Sequence, residues 1–295
     1  IRGRRDDRGS LGYLGLRCMM AGPQVTAARH GFARLGVRQV SGKSALVEAS
    51  SSAPVKLLAP QPRGASVWAY LSSYGGGLLA GDSANIQIDV EESAHAFLTS
   101  QSSTKIYTSP TGLPARQELK AVINDNAFLA VVPDPVQCFA ASVYEQRQVF
   151  HMAASGGLVF VDALSAGRIA RAERWAFSRF FSRNEVFVDE QRACLDALLL
   201  GAEQPHPSPM GRFNSFATML MFGGLLSEHI QQGLKESAEV PVRRQAPLVM
   251  SASPLRHGVI LRFASEQLEL LTAEIHRRLA FLPQFLGDDP LARKW

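Results

Sequence analysis

The stretch "YGGGLLAGDSANIQIDV", residues 74–90, decides how this chain is read. Its first half spaces Gly75, Gly77 and Ala80 like the G-x-G-x-x-G/A fingerprint that wraps a dinucleotide pyrophosphate. That fingerprint works only where a helix begins at the glycines, because unpaired helical N–H groups and the helix dipole hold the phosphate. The second half argues against a helix. Ile86, Ile88 and Val90 alternate with Gln87 and Asp89, the period of two of a strand with one buried face. Glycines between two strand patterns supply turns, bulges or close backbone approach, and that structural role is expected here.

Outward from this stretch the pattern repeats. Short alternating runs cover 65–71, 86–90, 96–99, 105–108, 118–123, 128–132, 143–152 and 158–161, then paired runs fill 175–200 around "DEQR". Turn residues such as "EES", "SPTG", "NDN", "PDP" and "SGG" separate them, so the fold class is mainly β. Two helices are predicted near the C-terminus. The first, 225–236, aligns Leu226, Ile230 and Leu234. The second, 266–282, aligns Leu268, Leu271, Ile275 and Leu279, with Ser265 as its cap, Arg277 and Arg278 at its dipole end and Pro283 as its stop. That stripe is expected to pack on the body or to serve as a partner interface. "EASSSAP" (48–54) and "EQPHPSPMG" (203–211) read as loops. No fixed-period repeat or break in composition divides the chain, so residues 20–295 are expected to form a single domain.

Composition narrows the class. Of 295 residues 46% are hydrophobic and 19% charged, as in ordinary globular proteins, and apolar runs such as "FLAVV" (128–132) are far too short to span a bilayer. Arg2, Arg4, Arg5, Arg8 and Arg17 against Asp6 and Asp7 place +3 of the formal +5 in the first 19 residues, so the net charge says little about nucleic acid. The paired acids argue against a transit peptide, and the natural start is expected at Met19 or Met20, with 1–19 a non-native or disordered leader. Cys18, Cys138 and Cys194 form no C-x-x-C pair, which suits a reducing, cytoplasmic setting. Seven scattered histidines write no local metal cage, and no permanently bound cofactor is expected.

Two further motifs carry chemistry on paper. "SGKS" (41–44) fails as a phosphate loop because five residues, not four, separate Gly36 from Gly42, and no buried strand is expected before it; Lys43 is expected to face solvent. "PDP" (133–135) and "SAGRIARAER" (165–174) place Asp134, Arg168 and Glu173 at turn-like positions. Paired carboxylates suit acid–base work, and a charged turn or buried ion pair is the structural alternative. No nucleophile stands beside a base.

Read in order, "GGGLLAGD", "LTSQSSTKIYTS", "ARQEL", "PDPVQCFAASVYEQ" and "GRIARAERWAFSRFFSRNEVFVDEQ" resemble the blocks of the urease accessory proteins of the UreD/UreH type, over roughly residues 35–295. The closing "LGDDPLARKW" resembles that family's C-terminus, and the block from Gly167 to Asp189 looks nearer to eukaryotic than to bacterial members. Ala80, Ala172 and Cys138 depart from the pattern, the first two where glycine is expected and the third where proline is common. The resemblance implies a β-helix-like helical stack of strands with two C-terminal helices. It also implies a non-enzymatic scaffold between apo-urease and a UreF-type partner, which recruits the nickel-carrying GTPase UreG, with nickel in transit through an internal passage.

A conduit for a divalent ion needs oxygen or imidazole groups along a wet path, each weak enough to release it. Asp82, Asp134 and Glu173 are the candidates for that path, with Arg168 and Lys105 as charge partners, and for each a structural role is the alternative. The rival reading is a β-rich enzyme. It requires a helix directly after Gly81 for a nucleotide, or two carboxyls facing across a cleft for hydrolysis. A nucleic-acid binder would expose aromatics among Lys and Arg, whereas Phe and Trp here mostly fall on apolar alternations.

Overall fold

Alternation of inward and outward side chains governs the computed structural model, which describes residues 28–60, 64–201, 210–240, 243 and 245–292. Strand β1 (His30–Val40) buries Ala33, Leu35 and Val37 and turns through Ser41 and Gly42, both at positive φ, into β2 (Lys43–Ser51). Then come β3 (Val55–Leu58), β4 (Val67–Ser73), β5 (Gly77–Leu78), β6 (Ser83–Val90), β7 (His95–Ser100) and β8 (Lys105–Ile106). The next turns of chain are β9 (Ala115–Ile123), β10 (Phe128–Val131) and β11 (Val136–Cys138), followed by β12 (Val143–Met152) and β13 (Gly157–Ser165). β14 (Arg179–Val188) and β15 (Gln191–Gly201) form a hairpin whose two turn residues, Asp189 and Glu190, both have positive φ, the geometry that matches strand twist. β16 (Ser215–Phe222) leads to helix α1 (Ser227–Glu239), and β17 (Leu248–Leu255) and β18 (Gly258–Ser265) lead to α2 (Leu268–Arg278) and α3 (Pro283–Leu286).

These elements make two facing sheets. One has the order β15-β14-β12-β9-β6-β1-β2; the other follows β17-β18-β16-β13-β10-β7-β4-β3, with β5, β8 and β11 beside that path. Each coil places one strand in each sheet, as β6 and β7, β9 and β10, or β12 and β13 do, and successive coils pair in parallel. This is the expected helical stack of strands. Ser83, Arg116, Glu145 and Phe181 lie side by side in four successive coils. Their unequal sequence spacing explains why no fixed period is visible in the sequence.

The glycines of 74–82 have the structural role. Gly75, Gly76 and Gly81 hold positive φ, a Cβ on Gly77 would stand 2.3 Å from the Lys105 carbonyl oxygen, and strand β6 begins at Ser83 where a nucleotide cradle needs a helix. Other expectations are corrected. A half-buried strand, β1, does precede "SGKS", but a hairpin and the exposed Lys43 follow it. β2 runs through residues 48–51, so half of "EASSSAP" is strand. Residues 225–226 lie in a 3-10 turn ahead of α1. The Ser265 hydroxyl closes a local turn with Gln267 instead of capping, and α2 starts at Leu268. Pro283 opens α3 as its first residue, where its missing N–H would have had no helical partner.

Helices and second sheet pack through one apolar layer. Leu271, Ile275 and Leu279 of the second predicted stripe are buried with Leu226 and Ile230 against Met219, Met221, Leu261 and Phe263, and Leu268 packs at the margin. This face is internal to the chain, which corrects its choice as a partner interface. Residues 1–27, with the proposed leader and Cys18, and 202–209 lie outside the described residues.

Candidate functional site

The space between the two sheets changes character along the strands. On β12, Tyr144 belongs to one apolar cluster, Gln146 and Gln148 follow, and Phe150 and Met152 belong to another. β14 repeats this with Phe180, then Ser182 and Asn184, then Val186 and Val188. From the facing sheet β13 presents Phe160, then Asp162, then Leu164. Register aligns these breaks: Gln117, Gln146 and Ser182 stand in one row, and Leu119, Gln148, Asn184 and Asp196 in the next. A polar layer therefore crosses the core between two apolar ones. Hydrophobic burial does not explain it, because buried polar groups destabilise a core unless they are hydrogen-bonded.

A cavity of about 40 Å³ lies in this layer, with Thr99, Gln117, Asp134, Gln146, Gln148 and Asp162 in its wall. That is room for at least one water, given the roughly 10–15 Å³ each needs. Asp162 is its hub. Its Oδ1 accepts from Gln146 Nε2 at 2.7 Å, and its Oδ2 accepts from Ser182 Oγ at 2.5 Å and Asn184 Nδ2 at 3.1 Å. Burial pushes the Asp162 carboxyl above its usual range and the charge of Asp196 adds to this, while the three donors pull the other way. Two oxygens of the layer, Gln148 Oε1 and Asn184 Oδ1, are buried without a partner. Native cores leave few such atoms, so acceptors of this kind point to a bound water or cation. At the margin, Arg262 of β18 reaches across to Asp196 of β15, with Nη2 to Oδ1 at 2.6 Å.

Of the three acids singled out from the sequence, the cavity gathers one. Asp134 lines it, accepts from Ser100 Oγ at 3.0 Å, and returns a backbone N–H to that hydroxyl at 2.8 Å. Asp82 lies apart and is 1% exposed; it accepts from the N–H groups of Arg29 and Leu79 at 2.9 and 3.0 Å and pairs with the Arg29 guanidinium at 2.9 Å. Glu173 pairs with Arg168, as expected of that partner, and accepts from the Ala140 N–H at 3.0 Å. The Arg168 hydrogen bond leads the causes holding the Glu173 carboxyl below its usual range, and the same guanidinium lies 3.9 Å from the Phe139 ring centroid. Lys105 is exposed on β8. Asp162, Gln148, Asn184 and Asp196 were missed. The available signal was polar residues interrupting inward alternation, and it becomes specific only when register brings successive coils into line.

Residues 29–295 match the sequence profile of the family described as "UreD urease accessory protein". The chain belongs to that family. It is 41% identical over 273 residues to a urease accessory protein UreD of Anaeromyxobacter sp. (strain Fw109-5), covering 92% of this chain and 91% of the relative. A UreD of Sorangium cellulosum is 42% identical over 271 residues, covering 91% and 86%. A urease accessory protein D of Arabidopsis thaliana is 32% identical over 290 residues, covering 87% and 98%. Over the aligned residues, identity runs higher to these two bacterial relatives than to the plant one.

The departures within this UreD-family chain have local consequences. Ala172 holds φ +60 and ψ 22 at the end of a 3-10 turn, a left-handed conformation that explains the expectation of glycine there. Cys138 is buried and its thiol is pushed up to about 12, chiefly by burial. Among the described residues no three His, Cys, Asp or Glu side chains gather as a metal cage, and no helix is long and apolar enough to cross a membrane.

Proposed function

We propose that this chain is a non-catalytic scaffold of urease maturation in the cytoplasm, bridging apo-urease to a UreF-type partner that recruits a UreG-type GTPase. In this reading Ni²⁺ is cargo, and it crosses the scaffold through the polar layer between the sheets. The observation that carries the reading is that layer's chemistry: carboxylate, amide and hydroxyl oxygens, two of them unpaired, between two apolar clusters. Oxygen donors hold a borderline ion such as Ni²⁺ less tightly than imidazole or thiolate, which suits release over retention. Asp134 and Asp162 are the acids of the path, while the hydrogen bonds around Asp82 and Glu173 favour structural roles for those two. The family's printed description, an accessory protein of urease, favours this reading over an enzyme.

The test is to co-express Asp134→Asn and Asp162→Asn chains with urease and its accessory proteins, then measure complex recovery and urease nickel separately. Both substitutions keep side-chain shape. In Asp162→Asn the amide oxygen still accepts from Ser182 and Asn184, and Gln146 Nε2 keeps its second acceptor, Ser182 Oγ, at 3.0 Å. Recovered complex with reduced nickel is expected. Normal nickel in both variants overturns the passage, and failure of the wild-type chain to recover urease subunits overturns the scaffold.

A further inference from the structure

The cavity wall does not extend to the end where both sheets finish: Asn184, Asp196, Thr218 and Arg262 lie outside its lining. β15 is the last strand of one sheet and β17, beside β18, the last of the other. From Asp162, one line of neighbours runs along the second sheet through Thr218 to Arg262. On the first sheet, Asn184, which donates to Asp162, stands directly beside Asp196. At roughly 4.8 Å per strand, Asp196 is about one strand and Arg262 about two strands from groups in contact around Asp162. The Arg262–Asp196 ion pair joins the sheets there, and its arginine side chain is 41% exposed while the aspartate is 13% exposed. Thr218 is buried behind it. Between the acid of the cavity and the open edge, the groups that intervene are therefore an amide with an unpaired buried oxygen, a threonine and this ion pair.

Resting on the passage proposed above, we infer that Asp196 is a cation station at one mouth of that passage and that Arg262 is its displaceable plug. A divalent cation and a guanidinium compete for the same carboxylate, and a bound cation at Asp196 has the unpaired Asn184 oxygen as a neighbouring donor. The exposed side of Arg262 gives the guanidinium water to move into when it is displaced. A second contact between the sheets on this edge, Arg256 Nη1 to Gln191 Oε1 at 2.9 Å, keeps the strands in place while the plug moves.

The experiment loads the purified chain with Ni²⁺ alone and follows its release to a chromophoric chelator by stopped flow, for wild type, Arg262→Met, Arg262→Lys, Asp196→Asn and Asp162→Asn. Methionine keeps the apolar stem and removes the charge. Release from Arg262→Met is expected to quicken by roughly ten- to a hundredfold, the factor set by losing one charge-assisted hydrogen bond. Arg262→Lys should fall between, and both variants should keep the wild-type circular dichroism and unfolding midpoint to within a few degrees. If Arg262→Met does not fold, the lysine variant carries the test, and wild-type release from it overturns the plug. Unchanged release from Arg262→Met, with retention lost in Asp162→Asn, also overturns the plug and leaves the passage standing. Absence of Ni²⁺ retention in the wild type and every variant overturns the passage and the plug together.

Discussion

Replacing Asp82 by asparagine separates structure from transit at one residue. The carboxylate receives the Leu79 N–H and the Arg29 guanidinium on Oδ2 and the Arg29 N–H on Oδ1, and it is 1% exposed. An asparagine supplies one acceptor oxygen, so in either orientation its NH₂ faces at least one of these donors. A hydrogen bond to a charged group is worth about 1.5–3 kcal/mol, and a stranded donor costs about 1–3 kcal/mol. The Arg29 ion pair adds little, at most about 1 kcal/mol, because the Arg29 side chain is 31% exposed and screened. The expected loss is therefore about 2–4 kcal/mol. Urea unfolding of the purified chain, followed by Trp68 and Trp175 fluorescence, measures it. A change under about 0.5 kcal/mol, the range of an ordinary surface substitution, refutes the structural assignment. If nickel loading of urease then falls without loss of the complex, Asp82 belongs to the path after all.

Other outcomes test other parts of the fold. Ala172→Gly should stabilise the chain by about 1 kcal/mol, since the left-handed backbone at φ +60 strains an alanine and suits glycine; a drop in thermal midpoint counts against that geometry. Leu271→Ala should destabilise by about 2–5 kcal/mol while Leu270→Ala, on the exposed side of the same helix, stays within about 0.5 kcal/mol, and equal effects would contradict the assigned face. Glu185 is held down to about 2, first by the Arg183 hydrogen bond, so its stabilisation is complete above its unfolded value of 4.5 and fades as pH falls towards about 2. Acid unfolding of wild type against Glu185→Gln over that window should show the difference shrinking, and a constant difference defeats the assignment. Asp162 has the opposite sign: burial raises its folded value, so wild type should lose stability relative to Asp162→Asn as pH rises from the unfolded carboxylate range, and a loss in the other direction would contradict the buried hub.

Alternation alone was enough to establish the β class, the rejection of a nucleotide loop at 74–82, the hairpin around "DEQR" and the apolar face of α2, because each depends on neighbours a few residues apart. The ordered blocks were enough for the family. Their glycine positions even marked Ala172 as a backbone exception. The candidate site was legible only at Asp134; the Arg168–Glu173 pair, also singled out, lies outside the cavity wall. What the tertiary structure decided was the shared row of Gln148, Asn184 and Asp196 on three strands of one sheet, with Asp162 meeting it from the other. In the sequence each is a single polar interruption, no different from a residue facing water. Coils of unequal length hide their alignment from any periodic reading, and only the closing of one sheet over the other makes those polar groups share a buried layer, where an unpaired oxygen has a physical consequence.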